Sequence, residues 1–272
     1  MKPAPFAYHA PTCTEDAVAL LAEHGDQARL LAGGQTLMPL MASRKVRGGH
    51  LIDLNRVPEL SFVSRTDRLR IGALTRLRQL ENDPAVRSAA PLLSRATALA
   101  GPVQVRNRAT VGGALAYADP AAELPAVAVA LGARVELRGS RVRSVPAEDF
   151  FLGAHQTALS GAEVLAAVEF PPSDSACAIE KISPRPGLAL AGAVAVLGGD
   201  TCRLVLFGVA PTPVRPAAAE AALARGAPPD EVADAAVAGL DPHGTGAASR
   251  HVLARGAVAR VVATVRNGVT HG

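Results

Sequence analysis

Short apolar runs alternate along the chain with breaks rich in glycine and proline, and their periods predict the elements. Residues 6–8 read as a short strand. Thr12-x-x-Glu15 has the form of a capping box, and Ala17, Val18, Leu20 and Leu21 follow as the apolar face of a helix that Gly25 ends. Ala28–Leu31 and 50–54 read as buried strands, so the first ~55 residues form a small β-α-β unit. Residues 60–63 and Leu69–Gly72 predict a strand pair around Thr66-Asp67. Thr75 is placed to cap a helix through Leu80, and Pro84 to start another that continues to Ala100, where Gly101-Pro102 breaks it. Residues 120–131 are Ala-rich and helical in pattern, 134–138 and 141–145 form a hairpin, and Val164–Phe170 is a strand stopped by Pro171-Pro172. Beyond Ala176, residues 178–182, 191–197 and 204–209 predict antiparallel strands, with Gly198-Gly199-Asp200 as the second turn. Two Ala-rich helices, Ala217–Ala224 and 231–238, precede an amphipathic C-terminal helix marked by Val258, Val261, Val262 and Val265.

Two glycine pairs interrupt this pattern in the same way. Ala32-Gly33-Gly34-Gln35-Thr36 directly follows a buried strand, and Thr110-Val111-Gly112-Gly113-Ala114 lies further along. Without a Cβ, the backbone can approach a ligand closely, and successive N–H groups in such a turn can hold an anion. Two pairs, each beside a threonine, suit the two phosphates of a dinucleotide. Taken alone, a Gly-Gly after a strand is more often only a tight turn. Neither stretch is a P-loop or a G-x-G-x-x-G fingerprint.

Composition narrows the chemistry. Hydrophobic residues make up 49% of the 272, enough for a sizeable core, whereas aromatics are 3% and Trp is absent, so the core must be built from Ala, Val and Leu. The net charge of +4 is scattered without a block of like sign, which gives no support to nucleic acid binding. Cys13, Cys177 and Cys202 are far apart and form no C-x-x-C pair; zinc and iron–sulfur sites need closely spaced thiolates, so the expectation is that this chain carries neither on its own and has no metal-binding residues. The first residues lack the apolar core of a signal peptide, and no apolar run reaches the ~18 residues of a membrane span; a cytoplasmic protein is the expectation. The seven histidines, at 9, 24, 50, 155, 243, 251 and 271, are dispersed and fit no ligand motif.

The second glycine stretch is preceded by Gln104-Val105-Arg106-Asn107-Arg108-Ala109 and followed by Ala118-Asp119-Pro120-Ala121-Ala122-Glu123-Leu124-Pro125. With residues 22–41, Val145-Pro146-Ala147-Glu148-Asp149-Phe150-Phe151-Leu152-Gly153 and Gly208-Val209-Ala210-Pro211-Thr212-Pro213-Val214-Arg215, these motifs run in an order that resembles the FAD-binding medium subunit of the molybdenum hydroxylases, the family of carbon monoxide dehydrogenase and xanthine dehydrogenase. The resemblance implies an α+β fold: a flavin-binding domain of two α/β subdomains of the PCMH type over 1–175 (subdomains about 1–55 and 56–175), then a C-terminal three-stranded antiparallel sheet with helices over 176–272. It implies FAD as cofactor, with the 32–36 and 110–114 stretches at the pyrophosphate, Asp119 and Glu123 on the ribose and adenine side, and Lys181 near the isoalloxazine ring, where a cation favours the anionic reduced flavin. No histidine falls in either glycine stretch, so covalent flavin attachment is not expected. The family usually carries Ser or Asn at Ala114, Gly at Ala109, His-Pro at Pro102-Val103, and an acid and an aromatic within 184–189, and this chain departs at all four. The partners implied are a large molybdopterin subunit and a small 2Fe–2S subunit, as a dimer of heterotrimers, with electrons passing through this chain to an external acceptor. The alternative is a standalone FAD-dependent oxidase or dehydrogenase acting on a small molecule.

Overall fold

The computed structural model describes residues 2–184, 189–240 and 247–267. The first unit is β1 (Ala7–His9), α1 (Thr14–His24), β2 (Ala28–Leu31), α2 (Leu37–Ala42) and β3 (His50–Asp53). Its three strands are parallel, in the order β1-β3-β2. The expected capping box does not form. Cys13 occupies the N-cap of α1 without a side-chain bond, and the Thr14 N–H donates to Glu59 Oε1 at 2.8 Å. The acid that satisfies this helix end therefore comes from a later segment, which local spacing does not reveal. Gly25, at φ +48°, ends the helix as expected.

The second unit runs through β4 (Val63–Arg65), β5 (Leu69–Gly72), α3 (Leu77–Asn82), α4 (Pro84–Ala89), α5 (Pro91–Leu99), α6 (Val103–Arg106), α7 (Val111–Tyr117), α8 (Glu123–Ala130), β6 (Arg134–Arg138), β7 (Val142–Pro146), α9 (Ala147–Phe150), β8 (Phe151–Gly153), β9 (Gln156–Thr157) and β10 (Val164–Phe170). Its main sheet has the order β4-β5-β10-β6-β7 and is antiparallel. β4 begins later than expected, because Leu60 is buried in a 3-10 turn (Pro58–Leu60) and not in the strand. Thr75 does not cap a helix. Its hydroxyl donates to the Phe62 carbonyl at 2.9 Å, and the helix starts at Leu77. The central strand β10 is apolar on both faces. Val164 and Ala166 pack with Leu21, Ile52 and Leu54 of the first unit, and Val168 and Phe170 face the larger core of the second.

The remaining chain forms β11 (Ala176–Ile182), β12 (Ala191–Gly198), β13 (Thr201–Phe207), α10 (Ala217–Ala224), α11 (Pro229–Val237) and α12 (Ala247–Arg266). The antiparallel sheet β11-β12-β13 is covered on both sides. Ile179, Val194, Val205 and Phe207 join the core of the second unit, while Ala178, Ala193, Ala195 and Leu204 meet the C-terminal helices. Alanine lets these layers approach closely. The aromatic exceptions matter: Phe150, Phe170 and Phe207 are among the largest fully buried side chains. Phe207 lies opposite Gly192, where an added Cβ would come within 2.1 Å of its ring, so glycine there makes room for the aromatic.

One ion pair fixes the loop that precedes β10. Arg143 in β7 grips Glu163 in bidentate fashion, with both N···O distances 2.7 Å, and also donates to the Ala158 carbonyl. The Ser160 N–H bonds the same carboxylate at 2.9 Å. The Arg143 hydrogen bonds, with the Ser160 donors, hold the Glu163 carboxyl at about 2 against burial, down from 4.5. A depressed acid contributes stability that is present above its unfolded value and lost as pH falls through its folded value. We therefore expect Glu163→Gln to equal wild type in stability near pH 2 and to fall progressively behind it as pH rises to about 5, a difference read from urea midpoints across that range.

Candidate cofactor site

β2 delivers the chain into the first glycine turn, which then enters α2. Gly34 sits at φ +71°, a conformation that favours glycine. Gly33 is packed against backbone: an added Cβ would lie 2.2 Å from the Arg108 carbonyl oxygen. No carbonyl of the described residues accepts from the N–H groups of Gly33, Gly34, Gln35 or Thr36. These residues line a cleft, so the turn presents a row of unbonded donors at its wall.

The second glycine stretch is built differently from the expectation of a matching loop. Thr110 is the N-cap of α7, and Val111, Gly112, Gly113 and Ala114 are its first residues. Their amides are already used. Val111 donates to Thr75 O at 3.1 Å, Gly112 to Ala73 O at 2.9 Å, Gly113 to Thr110 Oγ1 at 3.1 Å and Ala114 to Thr110 O at 3.0 Å. Gly112 is glycine because a Cβ would stand 2.4 Å from that of Ala73. This stretch therefore lets α7 sit close against the β5–α3 connection and forms the opposing wall, and its N–H groups do not supply a second anion nest.

A polar chain that sequence reading missed holds the two walls in place. Asp53, at the end of β3, accepts from Tyr8 Oη at 2.6 Å and from the Asn55 N–H at 2.9 Å. The Asn55 side chain donates to the Ala32 carbonyl at 2.9 Å and accepts from Arg76, whose guanidinium also donates to Arg108 O at 2.9 Å. Burial opposes the charge of Asp53, but the bonds from Tyr8 and Asn55 outweigh it and hold the carboxyl below its usual range. Burial, followed by the charge of Arg108, lowers the Arg76 guanidinium. The same Arg108 carbonyl thus meets both Gly33 and Arg76.

The cleft between these walls has a volume of about 790 Å³. Asp119 lines it, and its Oδ1 accepts from the Ala121 N–H at 2.9 Å. Glu123, the first residue of α8, is buried and pairs through Oε1 with Lys181 Nζ of β11. The ammonium also donates to the Leu99 carbonyl at 3.0 Å. Burial pushes the Glu123 carboxyl above the usual carboxylate range, with Lys181 opposing it. The structure brings together two residues expected at different ends of the ligand, and of the two only Glu123 lines the cleft. His155, exposed and at φ +58°, also lines the cleft, its N–H bonded to Ala118 O at 3.0 Å. Its ring lies 4.5 Å from that of Tyr117, another wall residue outside the expected set. Most of the divergent 184–189 segment, residues 185–188, lies outside the described residues.

The Glu123–Lys181 pair yields a direct test. Removing one partner of a buried pair strands the other charge, at about 3–5 kcal/mol, whereas neutral replacement of both is far milder. Lys181→Met should lose stability on that scale, and Lys181→Met with Glu123→Gln should recover most of it. Urea unfolding of both variants measures the difference; equal stability of the two would show that the pair is not energetically coupled.

Known proteins resemble this chain in sequence and in fold. A family described as "FAD binding domain in molybdopterin dehydrogenase" matches residues 4–173. The carbon monoxide dehydrogenase medium chain of Hydrogenophaga pseudoflava is 40% identical over 225 residues, 79% of this chain and 78% of the relative. Caffeine dehydrogenase subunit beta of Pseudomonas sp. (strain CBB1) is 39% identical over 228 residues, 79% of this chain and 77% of the relative. A solved structure of the Hydrogenophaga carbon monoxide dehydrogenase, lacking the Mo-pyranopterin moiety, superposes with a TM-score of 0.94 at 38% identity over 98% of this chain and 99% of that one. Quinoline 2-oxidoreductase from Pseudomonas putida 86 gives 0.92 at 31% identity over the whole of both chains.

Proposed function

This chain belongs to the family of FAD-binding domains of molybdopterin dehydrogenases, with FAD as its cofactor, and from that premise we propose that it is the electron-transferring flavin subunit of a molybdenum hydroxylase. The row of unbonded amides at 33–36, set in a cleft wide enough for a cofactor of the kind this family binds, carries the proposal. The cleft volume falls within the ~300–1,000 Å³ of cofactor sites. Bound FAD would supply the redox chemistry, accepting electrons from iron–sulfur clusters on a small subunit and releasing them to an external acceptor.

The chain's own residues then divide the work of binding. Ala32, Gly33, Gly34, Gln35 and Thr36 would hold the pyrophosphate through main-chain N–H groups and the Thr36 hydroxyl. Thr110, Val111, Gly112, Gly113 and Ala114 would close the opposite wall by shape. Asp119 would accept from ribose hydroxyls, its carboxylate being a strong acceptor. Lys181 would place its ammonium toward the flavin ring, with Glu123 as the group that positions it. The domain division at about residue 175 belongs to the same reading: the flavin-domain match ends at 173, next to β11.

Relatives named as medium chains and subunits of dehydrogenases support a multi-subunit enzyme. Among the described residues the three cysteines are free and form no metal-ligating group, which leaves clusters to other chains. No helix of the described residues is long and apolar enough to cross a membrane. We therefore infer a complex with a large molybdopterin subunit and a small 2Fe–2S subunit, as a dimer of heterotrimers.

Two outcomes follow. Native purification through a tag on this chain should yield iron, molybdenum and acid-releasable FAD at the stoichiometry of a heterotrimer. A metal-free protein that oxidises a small molecule directly would reject the subunit reading in favour of a standalone flavoenzyme. Second, Gly33→Ala should lose FAD affinity by at least about tenfold and also lower thermal stability, since its Cβ would press on the Arg108 carbonyl. Gly113→Ala should be milder, because its Cβ would meet only the Thr110 hydroxyl closely, at 2.8 Å. Flavin fluorescence titration and thermal melts measure both, and wild-type affinity in Gly33→Ala would sink the assignment of that turn.

A further inference from the structure

Three histidines that are dispersed in sequence converge at one end of the parallel sheet. His9 closes β1, His50 opens β3 and His24 closes α1. Ala7 lies opposite His50 and His9 opposite Ile52, so His9 and His50 are diagonal neighbours on one face. His24 stacks on His50 with centroids 3.6 Å apart and planes 13° apart, while the His9 ring lies 5.1 Å from His24 and 5.2 Å from His50. His9 Nε2 and His50 Nδ1 are 2.9 Å apart and share a hydrogen bond. One nitrogen from each ring lies within 4.8 Å of the others, and all three residues are partly buried. Among the described residues, no other hydrogen bond reaches these rings; the nearby anion is Glu23, 3.8 Å from His24 Nε2.

We propose that His9, His24 and His50 bind one divalent transition-metal ion, of which Zn²⁺ is the best match. Imidazole is a preferred ligand of zinc, nickel and copper, and three histidines with an open fourth position are a known zinc donor set. Tetrahedral zinc, with Zn–N near 2.0–2.1 Å, separates its nitrogens by about 3.3 Å. The observed spacings, 2.9 Å and at most 4.8 Å, bracket that value. Rotation of the rings closes the site, because two near-parallel rings cannot both aim lone pairs at one ion and χ2 of histidine is soft. Water or Glu23 fills the fourth position. None of the three histidines lines the cofactor cleft, so the proposal is independent of the flavin reading. A bound ion ties the end of α1 to β1 and β3 and stabilises the first unit by mass action.

The test uses the untagged full chain, stripped with a chelator, dialysed and titrated with ZnCl₂ by calorimetry. We expect one ion per chain, visible d–d bands of tetrahedral type with Co²⁺, and a thermal midpoint that rises with Zn²⁺ and not with Mg²⁺, a hard cation that prefers oxygen. His24→Gln and His50→Gln should each weaken Zn²⁺ binding by at least about tenfold, the loss seen even for outer-shell changes. His251→Gln, on α12, should bind as wild type does. Should His50→Gln fail to fold, His24→Gln decides. No Zn²⁺ binding by wild type, or unchanged affinity in His24→Gln, would overturn the proposal.

Discussion

The approach of the Gly33 backbone to the Arg108 carbonyl is the constraint on which the cleft depends. Two segments from different units meet there with no room for a Cβ. A carbonyl pressed against a chain is still a hydrogen-bond acceptor, and Arg76 donates to it. Arg76 is in turn held by Asn55, and Asn55 by Asp53. The contact therefore needs the glycine for space and the polar chain for satisfaction. Either alone would leave a clash or a contact that nothing anchors.

The two glycine pairs look alike in sequence and do unlike things. The first turn leaves its amides unbonded because the chain is between strand and helix, where neither ladder claims them. The second pair falls inside a helix whose cap and neighbours take every amide from Val111 to Ala114. Gly112 and Gly33 answer to packing; Gly34 answers to its positive φ. A glycine pair is thus a statement about available space, and whether that space is filled by ligand or by chain depends on hydrogen bonds that the pair itself does not encode.

What was legible in the sequence follows from the range of the forces involved. β10, the β11–β13 meander and the hairpin β6–β7 were read from apolar runs and turn residues, because burial and turn chemistry act over a few positions. The family motifs pointed to stretches that largely border the cleft, Val111 and Lys181 excepted, since these stretches are contiguous. The failures were long-range. Glu59 satisfies the end of α1 from outside any capping window. Thr75 has the right type for a cap but its hydroxyl goes to Phe62 across the turn. Asn55 and Arg76 carry no local signal of their part in the polar chain, and the three histidines looked scattered, because only the parallel pairing of β1 with β3 and the exit of α1 bring the histidines together.

The Glu123–Lys181 pair ties the C-terminal sheet to the cleft through Glu123, which lines it. Burying both charges carries a desolvation penalty that their attraction need not repay, so a pair of this kind is poor evidence of added stability. Its value lies in position. Glu123 is the first residue of α8, where the helix end favours a negative charge, and its carboxylate fixes the ammonium of Lys181 from β11. Lys181 reaches further to the Leu99 carbonyl at the end of α5, and Gly208, just past β13, donates to Pro120 beside Asp119. Three bonds thus cross from the third sheet and its exit to segments bordering the cleft, two of them through one cation. A movement of that sheet relative to α5 and α8 would have to break a charge-assisted contact in a dry environment, which makes the cation's place behind Glu123 rigid. A rigid charge is the kind that can set the energy of a neighbouring group, because it costs no reorganisation when that group changes charge.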